Sequence, residues 1–173
     1  VQNDVKNKYL EIYYRKNIFS DNIKDIKYHL RNVKNKNIIL SVNTQNRALA
    51  SWCARDERIK IISLDLSNIK KIHKNTIKVA NRNSTYFELS IYDLLFQNKV
   101  SFVKKISILA QKIKEIKKLG AEFIITSAAE NIFQMRSPKD VIALFYMLNI
   151  DDSLAKKAIS ENPKNIIEKI YQN

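Results

Sequence analysis

Phe102-Val-Lys-Lys-Ile-Ser-Ile-Leu-Ala-Gln-Lys-Ile-Lys-Glu-Ile-Lys-Lys-Leu-Gly-Ala-Glu-Phe-Ile-Ile-Thr-Ser127 changes its hydrophobic period once, and the change decides the fold class. Phe102, Ile106, Leu109, Ile113 and Ile116 recur at steps of three and four, which is one stripe of an α-helix. Gly120, the only glycine in the chain, stands where that helix should stop. Glu122 to Ser127 then alternates no longer. It is a short β-branched and aromatic run, apolar through its centre, as strands covered on both faces are.

The same alternation runs upstream. Strands are predicted at Tyr9–Tyr14, Asn37–Val42, Ile59–Leu64 and Thr85–Ile91. Between them Ser20 is placed to cap a helix carrying Ile23, Ile26, Leu30 and Val33, and Ile69, Ile72, Ile77 and Ala80 mark another. After Ser127 only helices follow. Ser137-Pro138-Lys139-Asp140 has the form of a capped helix start, Asp151 opens a short helix through Ile159, and Asn162-Pro163 opens the last, with Ile166, Ile167 and Ile170 inward. The expectation is one α/β domain over residues 1–173, strands and helices alternating, with three helices at its end. Five strands fall short of an eight-stranded barrel, which takes about 250 residues, so the sheet is either open or an incomplete barrel. Val1, in place of a methionine, suggests that residues upstream are missing from this chain.

Composition narrows the function. Hydrophobic residues make up 45% of the chain, enough for a core, and no apolar run approaches the ~20 residues of a membrane span. Val1-Gln2-Asn3-Asp4 lacks the apolar stretch of a signal peptide, and a single cysteine, Cys53, cannot form an internal disulfide, which fits a reducing cytoplasm. With one glycine there is no Gly-rich phosphate loop. His29 and His73 stand alone, without metal-ligand spacing, so no catalytic and no metal-binding residue is assigned. Asp151-Asp152 is read as a helix cap and Cys53 as core.

Net charge is +14, with Lys outnumbering Arg 24 to 7. Such a surface concentrates anions and favours nucleic acid, although lysine also fills ordinary solvated faces. Lys104, Lys105, Lys112, Lys117 and Lys118 oppose the apolar stripe of the long helix and are read as such a face. Lys70, Lys71, His73, Lys74 and Lys78 gather at the start and along one side of a helix and are candidates for a phosphate-tracking face. Arg47 and Arg136 follow predicted strands, at the strand ends where α/β folds place their sites, and Arg136 also precedes a helix N-terminus. For Arg136 the alternative is a structural clasp on Glu130 or on carbonyls of the Ser127–Glu130 loop.

Phe123-Ile-Ile-Thr-Ser-Ala-Ala-Glu130 followed by Met135-Arg-Ser-Pro-Lys-Asp140 resembles the archaeal ribonuclease P protein component 3 family. Asn46-Arg47-Ala48, Asp56–Ser63, Ile72-His73-Lys74, Phe87–Leu95 and Asn162–Ile167 follow in the family's order, so the resemblance runs from about Tyr9 to Ile170. Leu64–Asn68 departs from the family's Gly/Arg-rich loop, and the family's first strand or strands do not precede Val1. The resemblance implies an incomplete TIM-like barrel related to polymerase-and-histidinol-phosphatase proteins, without their metal ligands. It implies a non-catalytic subunit of a ribonucleoprotein endonuclease that removes the 5′ leader from precursor tRNA. The RNA subunit would carry the chemistry with Mg²⁺, and no cofactor would bind this chain. Its partners would be ribonuclease P RNA, precursor tRNA and protein component 2, in a heterodimer able to pair again. Two other readings stand beside it: a generic RNA-binding or assembly protein, and a metal-dependent phosphoesterase on the same barrel.

Overall fold

The computed structural model describes residues 11–34, 37–63, 72–91, 94, 99–129 and 131–171. Through these the chain runs β1 (Arg15–Phe19), α1 (Ile23–Arg31), β2 (Ile39–Asn43), α2 (Arg47–Cys53), β3 (Ile59–Ser63), α3 (Lys74–Arg82), β4 (Tyr86–Ser90), α4 (Lys99–Lys118) and β5 (Phe123–Thr126). A 3-10 turn (Ile132–Gln134) then leads to α5 (Pro138–Met147), α6 (Asp152–Lys156), a π-turn (Lys157–Glu161) and α7 (Asn162–Tyr171).

The five strands are all parallel and lie in sequence order, β1-β2-β3-β4-β5. An order without reversal winds in one direction only, as barrels do. Here the sheet stays open, with β1 and β5 at its edges. The fold is therefore the incomplete, TIM-like barrel of parallel strands alternating with helices, closed off by C-terminal helices.

Register explains the packing. Ile18, Val42, Ile62, Phe87 and Phe123 are partners across the sheet, one from each strand, and none exceeds 2% exposure. They share one core with Ile26, Leu49, Ile77, Leu109, Ile113 and Ile116 of α1 to α4. The opposite, inner face presents Ile39, Ile61, Tyr86 and Ile124 to Ile166, Ile167, Ile170 and Tyr171 of α7. The last helix thus covers this inner face of the sheet.

Several local choices follow directly from sequence. α4 ends at Lys118, and two residues on Gly120 takes φ +77°, where a Cβ would meet Asn81 Nδ2 at 2.8 Å. α5 begins on a capping box: Ser137 Oγ accepts from the Asp140 amide (3.3 Å), and Asp140 Oδ2 accepts from the Ser137 amide (2.9 Å). Asp151 caps α6 by accepting from the Ser153 amide.

Four expectations are corrected. The first strand is Arg15–Phe19, not Tyr9–Tyr14. Ile12, Tyr13 and Tyr14 stay largely exposed, Tyr13 packs edge-on against Tyr171, and the Tyr14 amide donates to the Tyr171 hydroxyl. α1 is capped by Asn22, whose side chain accepts from the Lys24 amide, while Ser20 accepts from the Asn22 amide one step earlier. α3 starts at Lys74, so Ile72 is buried ahead of the helix, and Ile69 lies outside the described residues. The final two helices are one continuous path, because the π-turn carries α6 into α7 without a break.

Candidate nucleic-acid interface

On the inner face, beyond the apolar row, a layer of polar residues joins the strands. Arg15 of β1 sends Nη1 to Glu88 Oε1 at 2.7 Å and Nη2 to Glu88 Oε2 at 2.5 Å, a two-pronged pair. Arg15 Nη2 also donates to Ser41 Oγ on β2 (2.8 Å), and Thr126 Oγ1 of β5 donates to Glu88 Oε1 (3.0 Å). Ser63 of β3 hydrogen-bonds the same carboxylate. Every strand contributes one residue. Burial pushes the Glu88 carboxyl up, but the Arg15 guanidinium and the two hydroxyls outweigh it and hold the group below the ordinary glutamate range. A carboxylate so occupied is not a free base, and this layer reads as architecture.

The outer flank is different. Between α2, α3 and α4 lies a cleft of about 780 Å³ whose wall carries Arg55, His73, Lys74 and Lys112. His73 is the N-cap of α3 and gives no side-chain cap, and His73 and Lys74, both exposed, line the cleft at this helix start. A helix N-terminus with Lys74 beside it and Arg55 on the same wall favours phosphate. The cleft's walls are braced by Ser51 Oγ and Thr76 Oγ1 at 2.5 Å, across α2 and α3. Lys112 corrects the reading of a solvated lysine face. It is 6% exposed, and its Nζ donates to the Ile72 carbonyl (3.3 Å) and to Glu115 Oε2 (2.5 Å). Its bond to the Ile72 carbonyl ties α4 to the chain just ahead of the α3 N-cap.

The remaining candidates do not all converge. Lys78 is exposed one turn along α3, outside the cleft wall. Lys70 and Lys71 lie outside the described residues. Arg47 is the exposed first residue of α2, just beyond the carboxyl end of β2. The loop that carries it is locked by Asp21: Oδ1 accepts from Thr44 Oγ1 (2.6 Å), the Gln45 amide (2.7 Å) and the Asn46 amide (3.1 Å), bonds led by Thr44 that keep the Asp21 carboxyl below its usual range. Arg136 is half-buried and donates Nη1 to the carbonyls of Phe133 (3.1 Å) and Met135 (2.8 Å). Its clasp therefore closes on the 3-10 turn rather than on the Ser127–Glu130 loop, and Glu130 lies outside the described residues. That turn leaves Ile132, Phe133 and Met135 at 74%, 87% and 62% exposure.

Among the described residues no three His, Cys, Asp or Glu side chains gather where they could hold a metal ion. Cys53 is fully buried, and burial pushes its thiol up to about 12, so at neutral pH it is packing and not a nucleophile. Sequence reasoning missed Arg55, Lys112 and the Arg15–Glu88 layer. Lys112 sits beside Ile113 on the edge of the α4 stripe, a placement that signals partial burial. Arg55 carries no local signal, because the cleft joins it to residues of two other helices.

The chain matches the model of the family described as RNase P subunit p30 over residues 2–172. It is similar to protein GAMETOPHYTE DEFECTIVE 1 of Arabidopsis thaliana, 26% identical over 138 residues that cover 78% of this chain and 23% of the relative. It is similar to ribonuclease P protein component 3 of Methanothermobacter thermautotrophicus, 22% identical over 151 residues, covering 84% of this chain and 60% of the relative. The chain thus spans less than two thirds of either relative. A chain in the cryo-EM structure of archaeal ribonuclease P with mature tRNA shares the fold at a TM-score of 0.83 and 20% identity, over 96% of this chain and 74% of that one.

Proposed function

The chain belongs to the RNase P subunit p30 family, and from that membership we propose that it is a non-catalytic, RNA-binding protein subunit of ribonuclease P that supports removal of the 5′ leader from precursor tRNA. The observation that carries this reading is the family match across nearly the whole chain. The exposed wall that carries the cations Arg55 and Lys74, with His73, at a helix start without a side-chain cap supports it, since that is a surface suited to phosphate. Arg47, Lys70, Lys71, His73, Lys74 and Lys78 are proposed to screen phosphate repulsion without reading bases. Arg136 is proposed to act mainly by shaping the turn it clasps.

The RNA subunit with its Mg²⁺ would perform hydrolysis, and this chain would contribute no cofactor. Partners are ribonuclease P RNA, precursor tRNA and protein component 2, and the setting is the cytoplasm. A second protein suits the apolar side chains that the Ile132–Gln134 turn leaves in solvent, since exposed groups of this kind mark contact surfaces. The test is reconstitution: ribonuclease P RNA and the other protein components cleave labelled precursor tRNA with and without this chain at limiting Mg²⁺. The expected result is faster leader removal with the chain present, and ribonuclease P RNA retained on it in a pull-down. Equal rates, with mixed RNAs retained indifferently, overturn the reading.

A further inference from the structure

The cleft on the outer flank is larger than a phosphate contact needs. Its volume of about 780 Å³ falls within the range of about 300–1,000 Å³ of pockets that take small organic ligands. A backbone phosphate on the exposed Arg55 and Lys74 need not enter it. Deeper in, the lining is partly apolar: Val79 of α3 and Ile108 of α4 are half-buried and packed on the core. Gln111 and Glu115 of α4 add hydrogen-bonding groups to the same wall.

The charges suit a ligand with an anionic end. Glu115 is the one acid among the described residues that line the cleft, and it is bonded to the buried Lys112. Asp56, next to Arg55 in sequence, is held by Arg58 at 2.9 and 2.7 Å. The positive charge of Arg55 and Lys74 therefore prevails at the rim. The walls are also fixed in advance. Ser51 and Thr76 join α2 to α3, and Lys112 joins α4 to the Ile72 carbonyl, so little ordering is left for binding to impose. An occupant that uses all of this is partly apolar, has polar edges and carries an anion. A nucleotide answers that description, and only a base free of pairing can leave the strand to enter.

We propose that the cleft takes one unpaired nucleotide of the RNA, its base lodged between α3 and α4 against Val79 and Ile108 and its phosphate held at the rim by Arg55 and Lys74. Unpaired bases are the ones that side chains reach in RNA, because the major groove of its duplex is deep and narrow. The inference rests on the RNA-binding reading and adds to it the pairing state that the chain selects. The same chemistry comes from a free nucleotide or from a bulged nucleotide within a strand.

The test follows the methyl groups of Val79 and Ile108 by NMR in the full chain. The probes are an RNA hairpin with one bulged adenosine, the same hairpin fully paired, and adenosine 5′-monophosphate. The expected result is magnetisation transfer from adenine protons of the bulge to both side chains. The bulged hairpin should also bind about tenfold more tightly than the paired one, within the worth of stacking one base. With that selectivity, contact from the mononucleotide as well identifies a free nucleotide as a sufficient source, and contact from the bulge alone places the unit in a strand; both support the proposal. Val79→Met extends a side chain into the cleft and should abolish the preference for the bulge while paired-hairpin affinity is kept. Asn75→Met, an exposed change one turn earlier on the same side of α3, fills the cleft without touching the core and should act likewise. Adenine protons that reach neither side chain, or equal affinities for the two hairpins, overturn the proposal. If that chain still accelerates precursor cleavage, the subunit reading survives. Conversely, bulge-selective contact in a chain that adds nothing to cleavage sinks the subunit reading alone.

Discussion

The inner face of the sheet and its outer flank both hold arginine and lysine, yet they use charge in opposite ways. On the inner face Arg15 is spent entirely within the protein, on Glu88, Ser41 and Asn17. On the outer flank Arg55, His73 and Lys74 stay exposed around a cleft, and Arg47 is held out by a loop that Asp21 makes rigid. Net charge therefore says little about either region. What distinguishes them is how far acids answer the cations: Glu88 takes both prongs of Arg15, whereas in the cleft Glu115 is bonded to the buried Lys112, and Arg55 and Lys74 stay exposed. The inner face ties five strands to one another through a single carboxylate, and the flank leaves Arg55 and Lys74 exposed.

The largest expected effect comes from breaking the inner face. Glu88→Ala strands a partly buried guanidinium and should cost about 3 kcal/mol of unfolding free energy in urea, as when one partner of a buried pair is removed. RNA affinity of the folded fraction should be unchanged, which separates the two regions. Acid should do the same reversibly. Since folding lowers the Glu88 pKa, its contribution is complete above the unfolded carboxyl's pKa and is lost as pH falls through the folded one. Melting temperature should accordingly drop more steeply with acid in the wild type than in Glu88→Gln; parallel curves would contradict this role for Glu88.

Arg136→Lys sharpens the boundary. Two bonds to turn carbonyls disappear, and stability should fall by about 1 kcal/mol. A change confined to RNA affinity, with melting intact, would move Arg136 to the flank's class. The smallest effect on stability belongs to Arg47→Ala, within ~0.5 kcal/mol of wild type, as for other surface changes.

Legibility in the sequence divides along the same line. β2 to β5 announce themselves because each sends apolar side chains to both faces, as Ile61 and Ile62 do. β1 does not, because Arg15 and Asn17 belong to the polar inner layer and only Ile18 enters the core row; the aromatic run before it offers a false strand. The Arg15–Glu88 pair spans 73 positions, and no local pattern predicts it. His73 and Lys74 are legible because one helix start holds both. Arg55 and Lys112 join them only when three helices pack. Asn162 has the look of an ordinary helix opening, yet it is buried beneath one.

The most direct measurement is the salt dependence of ribonuclease P RNA binding, compared between Glu88→Gln and a protein with Arg55, His73 and Lys74 all changed to alanine. The log–log slope of the triple variant should be shallower by about two units, close to one for each of the two cations lost, Arg55 and Lys74. Its melting should be nearly unchanged, and Glu88→Gln should keep the wild-type slope. A triple variant with the wild-type slope, or a shallower slope in folded Glu88→Gln, would contradict the assignment of RNA to the outer flank.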